Sequence, residues 1–191
     1  MKNLLRLFPL FLFVLSVITF VACEEDEPIG PDLSILRLDQ ENASGPVRAA
    51  GTHRFAVRFT ESRLTEYDGL NLTGIRIFVG RAPMRLELSV HEGGELIPAG
   101  VGERRVVAST PVSSGGFFDY TLDSPLQIDA STSLWLVAEV ELAEDQQSIG
   151  CDANGSGVAG GDFLFSPGTG WGTFEDETGE SVNWNIRGLV E

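Results

Sequence analysis

Strict alternation of apolar and polar residues limits the folds open to this chain more than any other feature of its sequence. Residues 84–91 read Met-Arg-Leu-Glu-Leu-Ser-Val-His, with an apolar side chain at every second position. Residues 54–59 follow a similar pattern, as do residues 75–79. Because successive side chains of a β-strand point to opposite faces of its sheet, a period of two predicts strands with one buried and one solvated face. Such strands are typical of antiparallel sheets.

Further strands are predicted around residues 106–108, 118–122, 133–140, 162–165 and 183–190. Turn-forming residues separate the strands, as in Tyr67-Asp68-Gly69 and Asp123-Ser124-Pro125. No window beyond the N-terminal segment has helical periodicity. The sequence therefore predicts an all-β fold, an antiparallel β-sandwich of about eight or nine strands that occupies residues 33–191.

The N-terminal segment resembles an export signal rather than part of the sandwich. Lys2 and Arg6 precede an apolar stretch over residues 7–22, and Cys23 follows directly. A basic start, an apolar stretch and small residues before a cleavage point define a secretory signal peptide. A cysteine at that point resembles the lipobox of bacterial lipoproteins, although Phe20 stands where that family usually has leucine. We expect residues 1–22 to be a signal peptide, Cys23 to carry the lipid, and residues 23–32 to form an acidic tether.

Two alternatives to the lipid anchor stay open, an uncleaved transmembrane anchor and plain secretion. The apolar stretch is barely long enough to span a bilayer, which needs roughly 20 residues, whereas two or three acyl chains hold a protein firmly. The acidic run 24–27 resembles the export signal of surface lipoproteins of the Bacteroidota. We therefore expect an outer-membrane lipoprotein on the cell surface, with a periplasm-facing lipoprotein as the alternative.

Charge and cysteine content limit the partners and the source of stability. The chain has 13 basic and 28 acidic residues and a formal charge of −15 at pH 7. Nucleic acid is not an expected partner, because phosphate binding requires a basic surface. The expected membrane contact is the lipid at Cys23. If Cys23 carries lipid, Cys151 has no disulfide partner within the chain, and we interpret Cys151 as a small buried hydrophobe.

From about Gly51 to Val190 the chain resembles the jelly-roll domain of the cleaved-adhesin type, found in surface and secreted proteins of the Bacteroidota. Short motifs in a matching order carry the resemblance; they are Tyr67 and Gly69, Ile75 to Phe78, Leu86 to Val90, Tyr120 to Leu122, Leu134-Trp135, Gly150 to Asp152, Gly157 to Gly161, Trp171, and Asn183 to Ile186. The resemblance implies a jelly-roll sandwich with an adhesive or carbohydrate-binding role. The chain departs from the family because no protease or glycosidase is attached to it.

The segment 152–157 matches the first half of a calcium-binding loop. Asp152, Asn154 and Ser156 place oxygen atoms at positions 1, 3 and 5 of a calcium-type loop, with Gly157 at position 6. The glutamate usual at position 12 is absent, and Asp162 is the nearest substitute. The alternative is a turn stabilised by asparagine, aspartate and glycine without metal. The resemblance favours calcium slightly, since related adhesin domains often hold it.

Other motifs have structural interpretations. Residues 155–160 match the G-x-G-x-x-G pattern, but a dinucleotide site needs a helix next, and residues 162–165 predict a strand. The glycines therefore predict a tight loop.

His91 lies on the polar phase of its strand and is expected on the surface. His53 is expected to be partly covered and hydrogen-bonded rather than catalytic.

Tryptophans are the best candidates for ligand contacts, because an aromatic face can stack on a flat ligand. Trp171 lies among Gly168, Gly170 and Gly172 and is predicted to be an exposed platform. Trp184 is the second candidate. The alternative is that both rings plug the open end of the sandwich. Trp135 is expected in the core.

No catalytic signature is present, and we expect a non-enzyme. The predicted function is a membrane-anchored surface lipoprotein whose sandwich binds a glycan or a surface protein without catalysis. The alternatives are a hydrolase or hydrolase subunit that uses carboxylates, which 28 acidic residues permit, and a purely structural envelope lipoprotein.

Overall fold

A computed structural model describes residues 32–41, 45–96, 115–152 and 157–191, together with the backbone of residues 105–107. The signal segment, Cys23 and the acidic run 24–27 lie outside the described residues, and their roles stay predictions. Within the described ranges, no helix is both long enough and apolar enough to cross a membrane.

The described residues form twelve strands, two short α-helices and one 3-10 turn at Thr65–Tyr67. In chain order the strands and α-helices are β1 (Ile35–Leu36), β2 (Val47–Arg48), β3 (Gly51–Phe59), α1 (Glu61–Leu64), β4 (Asn71–Val79), β5 (Arg85–Glu92), β6 (Arg105–Val107), β7 (Gly116–Gln127), β8 (Leu134–Leu142), β9 (Gln146–Gln147), β10 (Phe163–Ser166), β11 (Gly170–Thr173), α2 (Phe174–Thr178) and β12 (Ile186–Val190).

Strand order confirms the predicted antiparallel sandwich. One sheet has the order β1-β12-β4-β7, and the other has the order β11-β10-β3-β8-β5-β6. All neighbouring strands in the two sheets are antiparallel. The chain passes repeatedly from one sheet to the other, which is the connectivity of a jelly roll. The β10–β11 hairpin widens the second sheet, and β2 and β9 form a separate small pair.

Alternation in the sequence sets the inner faces of both sheets. Phe55, Val57 and Phe59 of β3 belong to one buried cluster with the isoleucines of β4 and with the apolar phases of β5, β7, β8 and β12. The intervening arginines Arg54 and Arg58 stay partly exposed. The main core therefore lies between the sheets, as the period of two predicted.

A second, smaller cluster covers part of the outward face of the six-stranded sheet. It consists of Ala56, Trp135, Val137 and Phe163. Because β8 contributes side chains to both clusters, it is apolar at consecutive positions rather than alternating. Met84, which sequence analysis placed in phase with the buried residues of β5, lies before that strand and is 64% exposed.

The sequence pattern did not predict the two short helices. The helix α1 has four residues and α2 has five, so neither is long enough to show a 3.6-residue period. Thr173 caps α2 by accepting a hydrogen bond from the backbone N–H of Asp176, and Gly179 ends it in the left-handed conformation. These are local signals that do not depend on periodicity.

Candidate functional site

Trp184 is completely buried in the main core. Its ring meets Phe55 and Phe174 edge-on, with centroid distances of 4.9 and 5.4 Å. Its Nε1 donates a hydrogen bond of 2.9 Å to the carbonyl oxygen of Phe163. A direct contact of Trp184 with a ligand does not fit this placement, because no face of the ring reaches solvent.

Trp171 lies in β11, the edge strand of the six-stranded sheet, and is only partly buried. It pairs with Phe165 of β10, with the two ring centroids 5.8 Å apart, and packs against the second cluster. The ring therefore has packing partners that the surrounding glycines did not suggest. Its role as a ligand contact stays a prediction.

The face beside Trp171 is an ion-pair network rather than an open polar surface. Arg54 lies over the Phe165 ring at 4.8 Å and donates to Glu139 at 2.6 Å. Arg85 binds the other oxygen of the same carboxylate. Glu139 is thus shared between two guanidinium groups.

Asp152 has a structural role in the described residues. One carboxylate oxygen accepts the backbone N–H of Asn183 at 2.7 Å. The other accepts Asn183 Nδ2 at 2.9 Å and the backbone N–H of Gln40 at 3.3 Å. Asn154 and Ser156 lie outside the described residues, so the loop proposed for calcium is not complete here.

Asp162, the proposed fourth calcium ligand, lies near the start of β10. Its Oδ2 accepts the backbone N–H of Glu175 at 3.1 Å, in the first turn of α2. Burial raises the pKa of the Asp162 carboxyl above its ordinary value, and the nearby Glu175 carboxylate adds to the shift. Among the described residues no three histidine, cysteine or acidic side chains are grouped as metal ligands, and the calcium site stays a prediction.

Glycines 157, 160 and 161 form a tight loop that is followed by β10 rather than by a helix. A Cβ on Gly160 would lie 2.4 Å from the carbonyl oxygen of Arg58, and Gly160 has φ of +97°. Its own carbonyl accepts the Arg58 N–H at 2.7 Å. The loop thus extends the β10 side of β3 by direct backbone contact, and the dinucleotide interpretation has no helix to support it.

Gly160→Ala is expected to lower the free energy of unfolding by about 2–4 kcal/mol, because it combines an unfavourable φ with a backbone collision. Gly172→Ala is the matched control, since a Cβ there meets nothing within 4 Å. Urea denaturation followed by circular dichroism measures both. Equal stability of the two variants would contradict the close contact.

His53 and Cys151 are both buried. His53 Nε2 lies 2.8 Å from the carbonyl oxygen of Ala49, which fits the predicted hydrogen bond, but the residue is 3% exposed rather than partly covered, and its Nδ1 has no hydrogen-bond partner among the described residues. Cys151 is 2% exposed and belongs to the main core, as its interpretation as a small hydrophobe predicted. A nucleophilic thiol must be reachable by substrate, and Cys151 is not.

A different surface, the outward face of the four-stranded sheet, gathers arginines. In the register of this sheet Arg187 of β12 lies opposite Arg76 of β4, and Arg76 lies opposite Asp119 of β7. Arg37 follows β1 directly and lines the same depression as Arg187. We call this surface, defined by Arg37, Arg76 and Arg187, the arginine face. It concentrates three of the chain's 13 basic residues.

The central arginine is fixed in place. Arg187 Nε donates to Asp39 Oδ2 at 2.9 Å, and Nη2 donates to the same oxygen at 2.6 Å. The guanidinium also stacks on the Phe117 ring at 4.4 Å. The side chains of Arg187 and Asp39 are 9% and 0% exposed. Asn185 Nδ2 donates to Asp39 as well, at 2.6 Å, so the buried carboxylate is fully hydrogen-bonded.

Arg76, by contrast, is neutralised at the surface. Its Nε and Nη2 donate to the two oxygens of Asp119 at 2.6 and 2.7 Å. These hydrogen bonds lower the pKa of Asp119 below its ordinary value. Both side chains of this pair remain substantially exposed.

A depression of about 450 Å³ opens on the arginine face. Its lining residues are Arg37, Glu41, Phe78, Phe117 and Arg187. The two phenyl rings meet edge-on, with centroids 5.2 Å apart, and Phe117 is 38% exposed. The lining of the depression therefore combines two phenyl rings with side chains of both charges.

Sequence analysis did not identify this site. Arg37, Asp39 and Glu41 alternate with buried Leu36 and Leu38, so the local signal was a short amphipathic strand. The partners of these residues are distant in sequence; Asp39 and Arg187 are 148 positions apart. Only the pairing of β1 with β12 brings them together.

Comparisons with known proteins identify the fold but no family. No protein-family model matches the chain, and no curated protein matches it. Among solved structures, the clostridial cysteine protease Cwp84 after propeptide cleavage matches with a TM-score of 0.61 and 12% identity, over 84% of this chain and 41% of that chain. A structure of the cysteine protease and lectin-like domains of Cwp84, a surface layer associated protein of Clostridium difficile, matches with a TM-score of 0.56 and 11% identity, over 75% of this chain and 33% of that chain.

These matches correct the predicted function. The proteins that share the fold are chains of a cysteine protease, and this chain spans well under half of their length. The expectation of a non-catalytic adhesive, carbohydrate-binding or protein-binding lipoprotein, which rested on the lipid address, the all-β pattern, the lack of catalytic signatures and the adhesin resemblance, is therefore wrong, because the chains that share this fold belong to a cysteine protease. Sequence identity this low shows the fold and nothing more, and function does not follow from fold.

Proposed function

We propose that this chain supplies an accessory β-sandwich domain that works with a cysteine-peptidase catalytic domain at the bacterial cell surface. The observation that carries the proposal is the extent of the structural match. It includes 84% of this chain but only 41% of a cysteine protease chain, so the sandwich corresponds to one part of a larger enzyme. The second matching structure contains lectin-like domains beside the protease, which supports an accessory role.

The described residues are consistent with an accessory rather than a catalytic part. Cys151, the cysteine that they contain, is buried in the main core. His53 is buried too and is hydrogen-bonded to backbone. A peptidase nucleophile and its histidine base must meet at an accessible site, so we assign the thiol chemistry to the partner domain.

A gene deletion followed by complementation tests the proposal. Intact cells are expected to hydrolyse peptides, and a thiol-alkylating inhibitor should block part of this hydrolysis. We expect deletion to reduce that inhibitor-sensitive part by at least half. Complementation with the wild-type chain should restore it, and Cys151→Ala should restore it equally. Unchanged inhibitor-sensitive hydrolysis in the deletion strain would refute the accessory role. Failure of a folded Cys151→Ala variant would instead assign the nucleophile to this chain.

The proposed location rests on the N-terminal sequence and on the second matching structure, which comes from a surface layer associated protein. We propose that Cys23 carries the lipid of a Bacteroidota-type surface lipoprotein, with residues 24–27 as its export signal. The sandwich would then begin about ten residues beyond the membrane anchor, which keeps it at the surface where extracellular peptides are present.

Cys23→Ser is expected to abolish incorporation of a fatty-acid probe, because the serine hydroxyl cannot replace the acylated thiol. Metabolic labelling with an alkyne fatty acid measures the difference, and Cys151→Ala serves as the matched cysteine control that should label normally. Equal labelling of Cys23→Ser and wild type would exclude lipidation at this position.

A further inference from the structure

We propose that the depression on the arginine face binds the C-terminal residue of an oligopeptide, with the carboxylate held by Arg37 and Arg187. The inference goes beyond the accessory role and does not depend on it. It follows from three features of the depression, which are a fixed guanidinium, a second arginine on the rim and an apolar floor.

The first feature is the pre-organisation of Arg187. Asp39 and the backbone carbonyl of Gln40 take up its Nε and Nη2 donors, and the Phe117 ring holds its plane at 4.4 Å. Within the described residues no hydrogen bond is made by Nη1, and Arg187 lines the depression. An arginine that is already ordered loses little conformational freedom when it binds a carboxylate.

The second feature is the charge that surrounds the depression. Asp39 neutralises Arg187, whereas Arg37 is exposed and forms no ion pair with any residue that the structure describes, although its charge also acts on the Asp32 carboxylate. Arg37 therefore provides the local positive charge in a chain of net charge −15. Glu41 lies on the same rim, where its carboxylate can accept a backbone N–H of a bound peptide. Positive and negative groups together suit a ligand that carries both a carboxylate and a donor.

The third feature is the floor. Phe78 and the 38%-exposed Phe117 present phenyl rings to the depression. Among the described residues that line it, none has a serine, threonine, asparagine or glutamine side chain. An apolar side chain would bury surface against the two rings, whereas the polar groups that the described lining offers to a sugar ring are the charged side chains of Arg37, Glu41 and Arg187. The lining therefore favours a C-terminal residue with a large apolar side chain.

Isothermal titration calorimetry on the purified whole chain tests this inference with acetyl-Ala-Phe as the probe. The free acid should bind, and the C-terminal amide of the same peptide should bind about tenfold more weakly because it loses the charge. Arg37→Ala should weaken binding of the acid to a similar extent, and Phe117→Ala should weaken it with unchanged circular dichroism. Arg63→Ala is the control and should leave affinity unchanged, since Arg63 lines a neighbouring depression that shares Arg37 with this one but includes neither Phe117 nor Arg187.

Several results would overturn the proposal. Equal binding of acid and amide would exclude recognition of the carboxylate, and an unaffected Arg37→Ala variant would place binding elsewhere. Equal weakening by Arg63→Ala would show a non-specific charge effect. Absence of binding by the acid would remove the site, and tighter binding of glucuronate would assign it to an acidic sugar instead. None of these results depends on a partner peptidase, so they leave the accessory role to its own test.

Discussion

Asp39→Ala is expected to lower the free energy of unfolding by about 3–5 kcal/mol, the usual cost of leaving a buried charge without its partner. The Asp39 side chain is fully buried, and it accepts hydrogen bonds from Arg187 and Asn185. Without that carboxylate, the Arg187 guanidinium keeps its position over Phe117 but loses its counter-charge. Urea denaturation of the variant, followed by tryptophan fluorescence, measures the loss.

Asp119→Ala is the matched control, because Arg76–Asp119 is also a two-bonded arginine–aspartate pair on the arginine face. Its side chains are 32% and 49% exposed, and exposed pairs contribute at most about 1 kcal/mol. We expect the control to lose less than a third of what Asp39→Ala loses. Similar losses in both variants would show that burial is not what makes the Asp39 pair strong.

Trp184→Ala is expected to have an effect of similar size, about 3–5 kcal/mol, since it empties a large site in a close-packed core. The ring fills the space between Phe55 and Phe174, and the deletion also leaves the carbonyl oxygen of Phe163 without the indole donor. Thermal unfolding of the variant measures this prediction as a large fall in Tm.

Two further variants separate the contributions. Trp184→Phe keeps much of the packing and loses the hydrogen bond, so it should cost less than Trp184→Ala. Trp171→Ala removes a partly buried ring at the edge of the second cluster and should cost about 1–2 kcal/mol, because less apolar area is lost. If Trp171→Ala destabilised the protein as much as Trp184→Ala, the distinction between core and edge rings would fail.

Local periodicity predicted most of the fold, because burial on one face leaves a period of two in the sequence. It succeeded for β3, β4, β5 and β7. Periodicity could not show that β8 packs against both hydrophobic clusters, since a strand that is buried on two faces has no period of two. The strand order of the two sheets depends on contacts between distant segments and was not predicted; the resemblance supplied only the jelly-roll class.

The candidate site was much less predictable. Trp171 lies among glycines and Trp184 between two asparagines, and neither setting indicates burial. Trp171 nevertheless lies at the edge of a sheet, and Trp184 lies in the core. Arg37 and Arg187 carry no motif, and their proximity follows from pairing between the first and last strands. Sites assembled across a sheet leave no local spacing, so sequence analysis had nothing from which to identify the depression.

The position of Asp39 also determines how the domain resists mechanical force. Strand β1 pairs with β12 through only two residues, Ile35 and Leu36, and a pull from the N-terminal side would peel such a short strand away with little resistance. The buried Asp39–Arg187 pair comes next along the chain, and its two ions must be separated and exposed to water before the load passes on towards β3. The first residues would therefore detach at low force, and resistance would rise where the Asp39–Arg187 pair begins to bear the load. In single-molecule pulling, Asp39→Ala should lower the main rupture force and leave the initial soft extension unchanged.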